Sequence, residues 1–378
     1  MSEITDQLWM LTPDGTDTIA GDIPVSFCEW TLEEKSFHVL RATGSYGGQD
    51  DLDPTKFLLD ARFEVRRFID GVGLGIEGDT QFFLRYWDFG EDDAGLSTWT
   101  IEAYSPEYFF TGRVIDSWAS TDTVTNPLTT KTDNADDVLK AFVSQNIGPT
   151  TTLAARLISE ITMDGDEALA PSITKSASYT KLFDALKDIS DDTEGNGNWL
   201  SWGLVASGSG SGFTFRTWLD HRGVDHSEGT GDEILVSKEI GNLLAPRVTF
   251  DHREEITAVR VLGKGEGESR ETVRVEDTAR SGASPWAYRE ATIDSQGETT
   301  DALTAEANAE LQRGKPARGF TGKLLDGPET RYGDRVKFGD LVAAEYAGLT
   351  FTCRLSRVHG EWSRDTGEVL DIELVGEE

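Results

Sequence analysis

Hydrophobic positions in the first third of this chain recur mostly in twos. In ARFEVRRFID (61–70), Phe63 and Val65 alternate with charged neighbours, and in STWTIEAY (97–104) Trp99, Ile101 and Ala103 share one face. Alternation of this kind marks half-buried strands. QFFLRYWDF (81–89) is a third β-favouring run, and breaks such as FGEDDAG (89–95) separate the runs. Later stretches pair off as hairpins: NWLSWGLV (198–205) with FTFRTWLDHRG (213–223), and ITAVRVLG (256–263) with ETVRVED (271–277). The last is FTCRLSRVHGEW (351–362), with Phe351, Cys353 and Leu355 pointing inward, followed by EVLDIELVGEE.

The helical period surfaces three times. Val138, Leu139, Phe142 and Val143 form a stripe in NADDVLKAFVSQNIGP, with Asp136 and Asp137 at the electropositive end and Gly148-Pro149 as the stop. Leu182, Phe183, Leu186 and Ile189 form the second, in SYTKLFDALKDIS. Leu303, Ala307 and Leu311 form the third, ended by Gly314 and Pro316. DSWASTDTVTNPLTTKTDN (116–134) carries almost nothing to pack and reads as a linker or exposed crossing. The expected fold class is mainly β with an α/β insert. Two β-rich domains, 1–118 and 236–378 (the latter with one helix), bracket a smaller mixed domain at 119–235.

Composition sharpens the picture. The chain has 378 residues, room for two or three domains. Its net charge is −33, with 68 acidic residues spread along the whole length, and Arg outnumbers Lys. Such a surface repels nucleic acid and anionic membrane. It also repels itself unless salt shortens the Debye length, about 30 Å at 0.01 M and about 3 Å at 1 M. We therefore expect adaptation to concentrated salt. Cys28 and Cys353 offer no disulfide framework and are expected as buried small hydrophobes. MSEITDQLWM lacks the apolar stretch of a secretory signal, and no run approaches the roughly 20 apolar residues of a membrane span.

Candidate chemistry is sparse. Gly73, Gly75 and Gly78 in GVGLGIEG fit the GxGxxG spacing of a dinucleotide loop. That loop must open a helix, whereas the aromatic run DTQFFLRYWDF follows here and Glu77 would repel phosphate. The pattern reads as a hairpin loop. Gly73, Gly75 and Gly78, like Gly263, Gly265 and Gly267, are expected as turn residues at positive φ. GKGEG lacks the ending of a phosphate loop. His221, Asp225 and His226 in DHRGVDH lack a third ligand at metal spacing, and His38, His252 and His359 have no ligand-like spacing. Carboxylate pairs such as Asp92-Asp93, Asp136-Asp137, Asp191-Asp192 and Glu254-Glu255 are expected of a solvated acidic surface. The aromatics Phe82, Phe83, Tyr86, Trp87, Trp99, Tyr104, Tyr108, Phe109 and Phe110 could form a sugar-binding face, but read better as core plus subunit interface. No catalytic, cofactor-binding or metal-binding residue is assigned, and no cofactor is expected.

Four features of the C-terminal half, in order, carry a resemblance: ITAVRVLGKGEGESRETVRV (256–275), YREATIDSQGETT leading into DALTAEANAELQRG (288–314), VKFGDLVAAEYAG (336–348), and the closing hairpin (351–376). Together they resemble the tail-hub proteins of long-tailed phages, relatives of the contractile-tail baseplate hub. The likeness covers roughly 217–376. The usual Leu-Gly-Asp turn is here Phe338-Gly339-Asp340, which keeps the turn but changes a core side chain. The resemblance implies a non-enzymatic homotrimer at the virion tail tip, assembled in the host cytoplasm. Each subunit would give two similar β-barrels to a ring that adapts a sixfold tube to threefold tip proteins. Implied partners are the tail tube or distal tail ring, the tape-measure protein and tip or receptor-binding proteins. No membrane is implied, and DNA enters only as passing cargo. A gene-transfer particle or injection machine is the alternative, and a halophilic carbohydrate-binding β protein a more distant one.

Overall fold

The structure is a computed structural model that describes residues 4–45, 55, 57–74, 79–91, 95–115, 129–151, 153–195, 197–207, 212–265, 270–295, 299–325, 327–363 and 367–376. The N-terminal part supplies β1 (Ile4–Leu11), β2 (Thr18–Ile23), β3 (Phe27–Glu33), β4 (Val39–Ser45), β5 (Arg62–Ile69), β6 (Val72–Gly73), β7 (Gln81–Glu91) and β8 (Ser97–Tyr104), then a 3-10 helix at Pro106–Gly112. The middle supplies β9 (Thr129–Asn134), α1 (Ala135–Asn146), β10 (Ile161–Met163), β11 (Ser172–Ala177), α2 (Leu182–Gly195), β12 (Leu200–Ala206), β13 (Phe213–Leu219), β14 (Asp225–His226) and β15 (Leu235–Ser237). The C-terminal part begins with β16 (Leu243–Asp251), β17 (Ala258–Leu262), β18 (Thr272–Glu276), α3 (Thr278–Ser281), β19 (Glu290–Asp294) and α4 (Thr300–Arg313). It ends with β20 (Ala317–Leu324), β21 (Leu341–Tyr346), β22 (Leu349–Ser363) and β23 (Gly367–Gly376).

The fold is mainly β, with its longer helices in the middle and in one C-terminal unit, as the periodicities predict. Both β-rich ends contribute to a single large sheet, in the order β16-β20-β23-β22-β3-β4-β8-β7-β5-β1-β2. The join is β3 against β22, antiparallel from Phe27↔Ser363 to Glu33↔Arg357. One core runs under both ends, with Trp30, Phe63 and Trp99 from the first and Val342, Leu355 and Leu374 from the last. Cys28 and Cys353 are buried there.

The alternation in β5 gives only half its story. Phe63 and Val65 are buried as expected, yet Arg62 and Glu64 on the other face are buried too, and Arg67 is buried on the same face as Phe63 and Val65. Arg62 lies under the middle module, its guanidinium 5.0 Å from the Phe213 ring. Arg67 reaches the C-terminal part, donating to the Tyr332 carbonyl and pairing with Glu368 at 2.7 Å. A buried charge survives only when paired in this way. The face predicted to meet solvent meets other parts of the chain.

In the middle module, α1 and α2 pack their stripes against the sheet β10-β13-β12, with Phe142, Leu186, Trp202 and Phe215 in the core. Asp136 is drawn inward, accepting the Ala170 and Leu169 N–H at 3.1 and 3.2 Å. Residues 256–314 make a second helix-on-sheet unit outside the large sheet, with α4 on β18-β17-β19. Among the described residues no helix is long and apolar enough to cross a membrane.

Candidate functional site

The two glycine loops resolve first. The turn between β5 and β6 is Asp70-Gly71, with φ of 47° and 81°, the left-handed pair that a two-residue hairpin requires. Gly73 instead sits in β6 opposite Phe68, so it is not a positive-φ turn residue. Gly75, Glu77 and Gly78 lie outside the described residues. Strand β7 follows, so the strand-to-helix geometry of a dinucleotide site is missing. In the later loop Gly265 has φ of 122°. Gly263 is not at positive φ: its N–H donates to the Glu271 carbonyl, and a Cβ there would lie 2.9 Å from Leu303. Close packing against α4 fixes that glycine. Gly267 and the pair Asp92-Asp93 lie outside the described residues.

Chain segments far apart in sequence converge instead on the turn Phe338-Gly339-Asp340. Asp340 accepts the Val224 and Lys337 N–H, each at 2.7 Å. Burial raises its pKa, and those two hydrogen bonds and His226 work against the rise. Gly339 has φ of 88°, and a Cβ there would lie 2.7 Å from that of Arg222. Only glycine fits such a position without strain. The Arg222 guanidinium covers the Trp218 and Phe338 rings at 4.7 and 5.0 Å and pairs with Asp79. Phe338, where the resemblance expects Leu, thus gives the cation an aromatic face that an aliphatic side chain lacks.

His226 is buried in β14, its Nδ1 donating to the Asp232 carbonyl at 3.0 Å and its Nε2 3.8 Å from Asp340. Asp225 accepts the Ser227 N–H at 2.9 Å. With β14 paired to β21, this segment clips the end of the middle module to the large sheet.

Two further arginines extend the joint. Arg354 of β22 stacks 3.7 Å over the Trp199 ring and donates to the Asp220 carbonyl. Arg62 bridges Phe83 and Phe213 at 5.1 and 5.0 Å. Around them, burial pushes Glu34 up to about 7, against the pull of Arg354, Lys35 and Arg222. Burial likewise holds His38 down at about 3, so it is neutral. Glu107 accepts the Leu204 N–H at 2.6 Å, and burial raises its pKa. Lys35 pairs with Asp191 and Glu194 of α2. These groups hold modules together.

The aromatic set splits. Phe82, Phe83, Trp99 and Phe110 are core, and Tyr104 stacks on Tyr108 at 4.4 Å. Tyr86 and Trp87 stand out from β7, with Tyr86 52% exposed. Sequence spacing missed one grouping: Glu29, His359 and Glu361 meet across β3 and β22. The i, i+2 spacing of His359 and Glu361 was the only local signal.

With this geometry in place, the Siphovirus ReqiPepy6 Gp37-like protein family matches residues 79–374. The chain belongs to that family. The match confirms the resemblance read from the C-terminal half and carries it upstream through the middle module. The fold is that of phage tail proteins. The 43 kDa tail protein of prophage MuSo2 from Shewanella oneidensis is similar at TM-score 0.60 and 13% identity, over 98% of each chain. The tail protein from Neisseria meningitidis MC58 is similar at 0.59 and 12%, over 98% of this chain and 97% of that one. The Francisella PdpA-VgrG complex contains a chain similar at 0.56 and 9%, covering 100% of this chain and 53% of that one. No curated protein sequence matches. The family and the two tail proteins are structural proteins of phage tails, not enzymes.

Proposed function

We propose that this chain is the tail-hub subunit of a tailed virus, three copies of which close a ring at the tail tip. The observation that carries the reading is whole-length: a siphovirus family member shares its fold with phage tail proteins from end to end. Its physical support is the β3–β22 join, which locks the two β-rich ends into one sheet over one core. Each subunit then presents its two ends as a rigid pair. Three pairs give six positions for a sixfold tail tube or distal tail ring above and a threefold tip or receptor-binding protein below. Cyclic closure needs one heterologous interface type. The tape-measure protein and DNA pass through the bore, and an acidic wall would not retain phosphates. An injection-machine hub is the second reading, favoured by the likeness to a chain of the PdpA-VgrG complex; the siphovirus family match favours the virus.

Light scattering in 1 M salt tests the reading. About three subunits per particle is the expected mass, and a monomer at all concentrations would count against it. Antibody labelling of intact particles should mark the tail tip, and label along the tube or on the head would place the chain elsewhere.

A further inference from the structure

On the outer face of the β3–β22 join, Glu29 stands directly opposite Glu361, and His359 lies two residues before Glu361 on the same face. One oxygen of each carboxylate and one imidazole nitrogen lie within 4.8 Å of one another. Like charges opposed across a strand pair destabilise it. Among the described residues the relief is partial: Arg41 reaches Glu29 at 3.1 Å but shares its guanidinium with Glu102, also at 3.1 Å. Glu361 has no hydrogen-bond or ion-pair partner among the described residues. The imidazole is already oriented. Thr31 Oγ1 lies 2.9 Å from His359 Nδ1 and can accept its proton, which leaves the Nε2 lone pair for a ligand, as outer partners do for metal-binding histidines.

We propose that Glu29, His359 and Glu361 bind a first-row divalent transition-metal cation, which clips the N-terminal end of the large sheet to the C-terminal end. One imidazole and two carboxylates suit zinc or a similar ion better than calcium or magnesium, which prefer all-oxygen sets. Bonds of about 2.0–2.2 Å require the three atoms to close to roughly 3–3.5 Å, within reach of rotation by surface carboxylates. Water completes the coordination shell. The cation neutralises the opposed carboxylates and lets Arg41 turn fully to Glu102. No catalysis is assigned to it.

The test is calorimetry on the full, chelator-stripped chain with zinc chloride, and with cobalt chloride read by visible absorption. One saturable zinc site is expected, together with a cobalt band from the imidazole ligand. His359→Ala and the isosteric Glu361→Gln should each weaken binding by more than tenfold. Thr31→Val, which removes only the positioning contact, should weaken it by about tenfold. Calcium should bind far more weakly than zinc. The proposal is overturned by no saturable heat at millimolar zinc, by zinc binding that both His359→Ala and Glu361→Gln leave intact, or by calcium binding as tight as zinc. Those last two results would assign the heat to the diffuse acidic surface.

Discussion

Two helix-on-sheet units sit in this chain, and their cores differ in kind. The middle module buries aromatic rings between α1, α2 and β10-β13-β12: Phe110, Phe142, Trp202 and Phe215, with Phe183 and Phe109 at the margin. The unit at 256–314 buries Val259, Val261, Leu303, Ala307 and Leu311, and no described aromatic enters that core. Its one tryptophan, Trp286, is 89% exposed. The two units touch through Asp192 of α2, which pairs with Arg313 of α4 at 2.6 Å and with Lys175 at 2.9 Å. Such exposed pairs contribute about 0–1 kcal/mol. Aromatic burial of some 150–250 Å² per ring dominates core energetics. The middle module is therefore expected to be a stiff part of the molecule, and the α4 unit to open locally on its own. Tyr288 of the same unit is 42% exposed as well.

The largest expected effect is in the stiff unit. Phe142→Ala should cost about 3–5 kcal/mol, read as a fall in the denaturant midpoint of the whole chain. Leu303→Ala, in the small core, should cost about 2–4 kcal/mol and act locally. Hydrogen exchange should show lost amide protection in β17, β18 and β19 while α1 and α2 keep theirs. Equal loss in both units would dissolve the distinction.

A smaller effect separates the units by pH. Burial raises Glu34, at the joint beside α2, to about 7 from an ordinary value of 4.5. Folding with the ionised group is disfavoured, so stability contributed there rises as pH falls from about 7 toward 4.5. A shift of that size sets an upper limit of about 3 kcal/mol on the gain. Asp277 in the α4 unit runs the other way. Its hydrogen bonds with Arg280 lower its pKa, so its contribution is present above 3.8 and lost as pH falls below that. Melts at pH 8, 6 and 4, with Glu34→Gln as control, check the sign. Glu34→Gln should flatten the upper limb, and an unchanged limb would clear Glu34 of the role.

The smallest effect is at the surface. Trp286→Ala should shift monomer stability by less than about 0.5 kcal/mol yet weaken assembly, measured as the concentration at which particles fall apart. Unchanged assembly would leave that ring without a partner.

What the sequence made legible follows from how far each signal reaches. The stripes Leu182, Leu186, Ile189 and Leu303, Ala307, Leu311 lie within a few turns of chain, and helices formed on both. Gly339-Asp340 was readable as a turn because its chemistry is local. The burial of Arg62 and Glu64 was not, since alternation within one strand reports one strand's faces and not what covers them. The joint of Arg222, Arg354, Glu34 and Asp340 was equally hidden: it is assembled from segments more than a hundred residues apart. Glu29 and Glu361 become neighbours only through the β3–β22 register. Of the glycine pattern, only Gly73 lies among the described residues, and it sits in β6. The β5–β6 turn is set by Asp70-Gly71, just before that spacing begins.

The central claim is a ring of three chains in which each chain supplies a rigid pair of β-rich ends. Electron microscopy of the purified assembly in 1 M salt tests it most directly. The account predicts threefold class averages with six similar lobes around a central opening, three carrying the middle module on their outer side. Single chains, or a ring whose lobe number equals its subunit number, would contradict it.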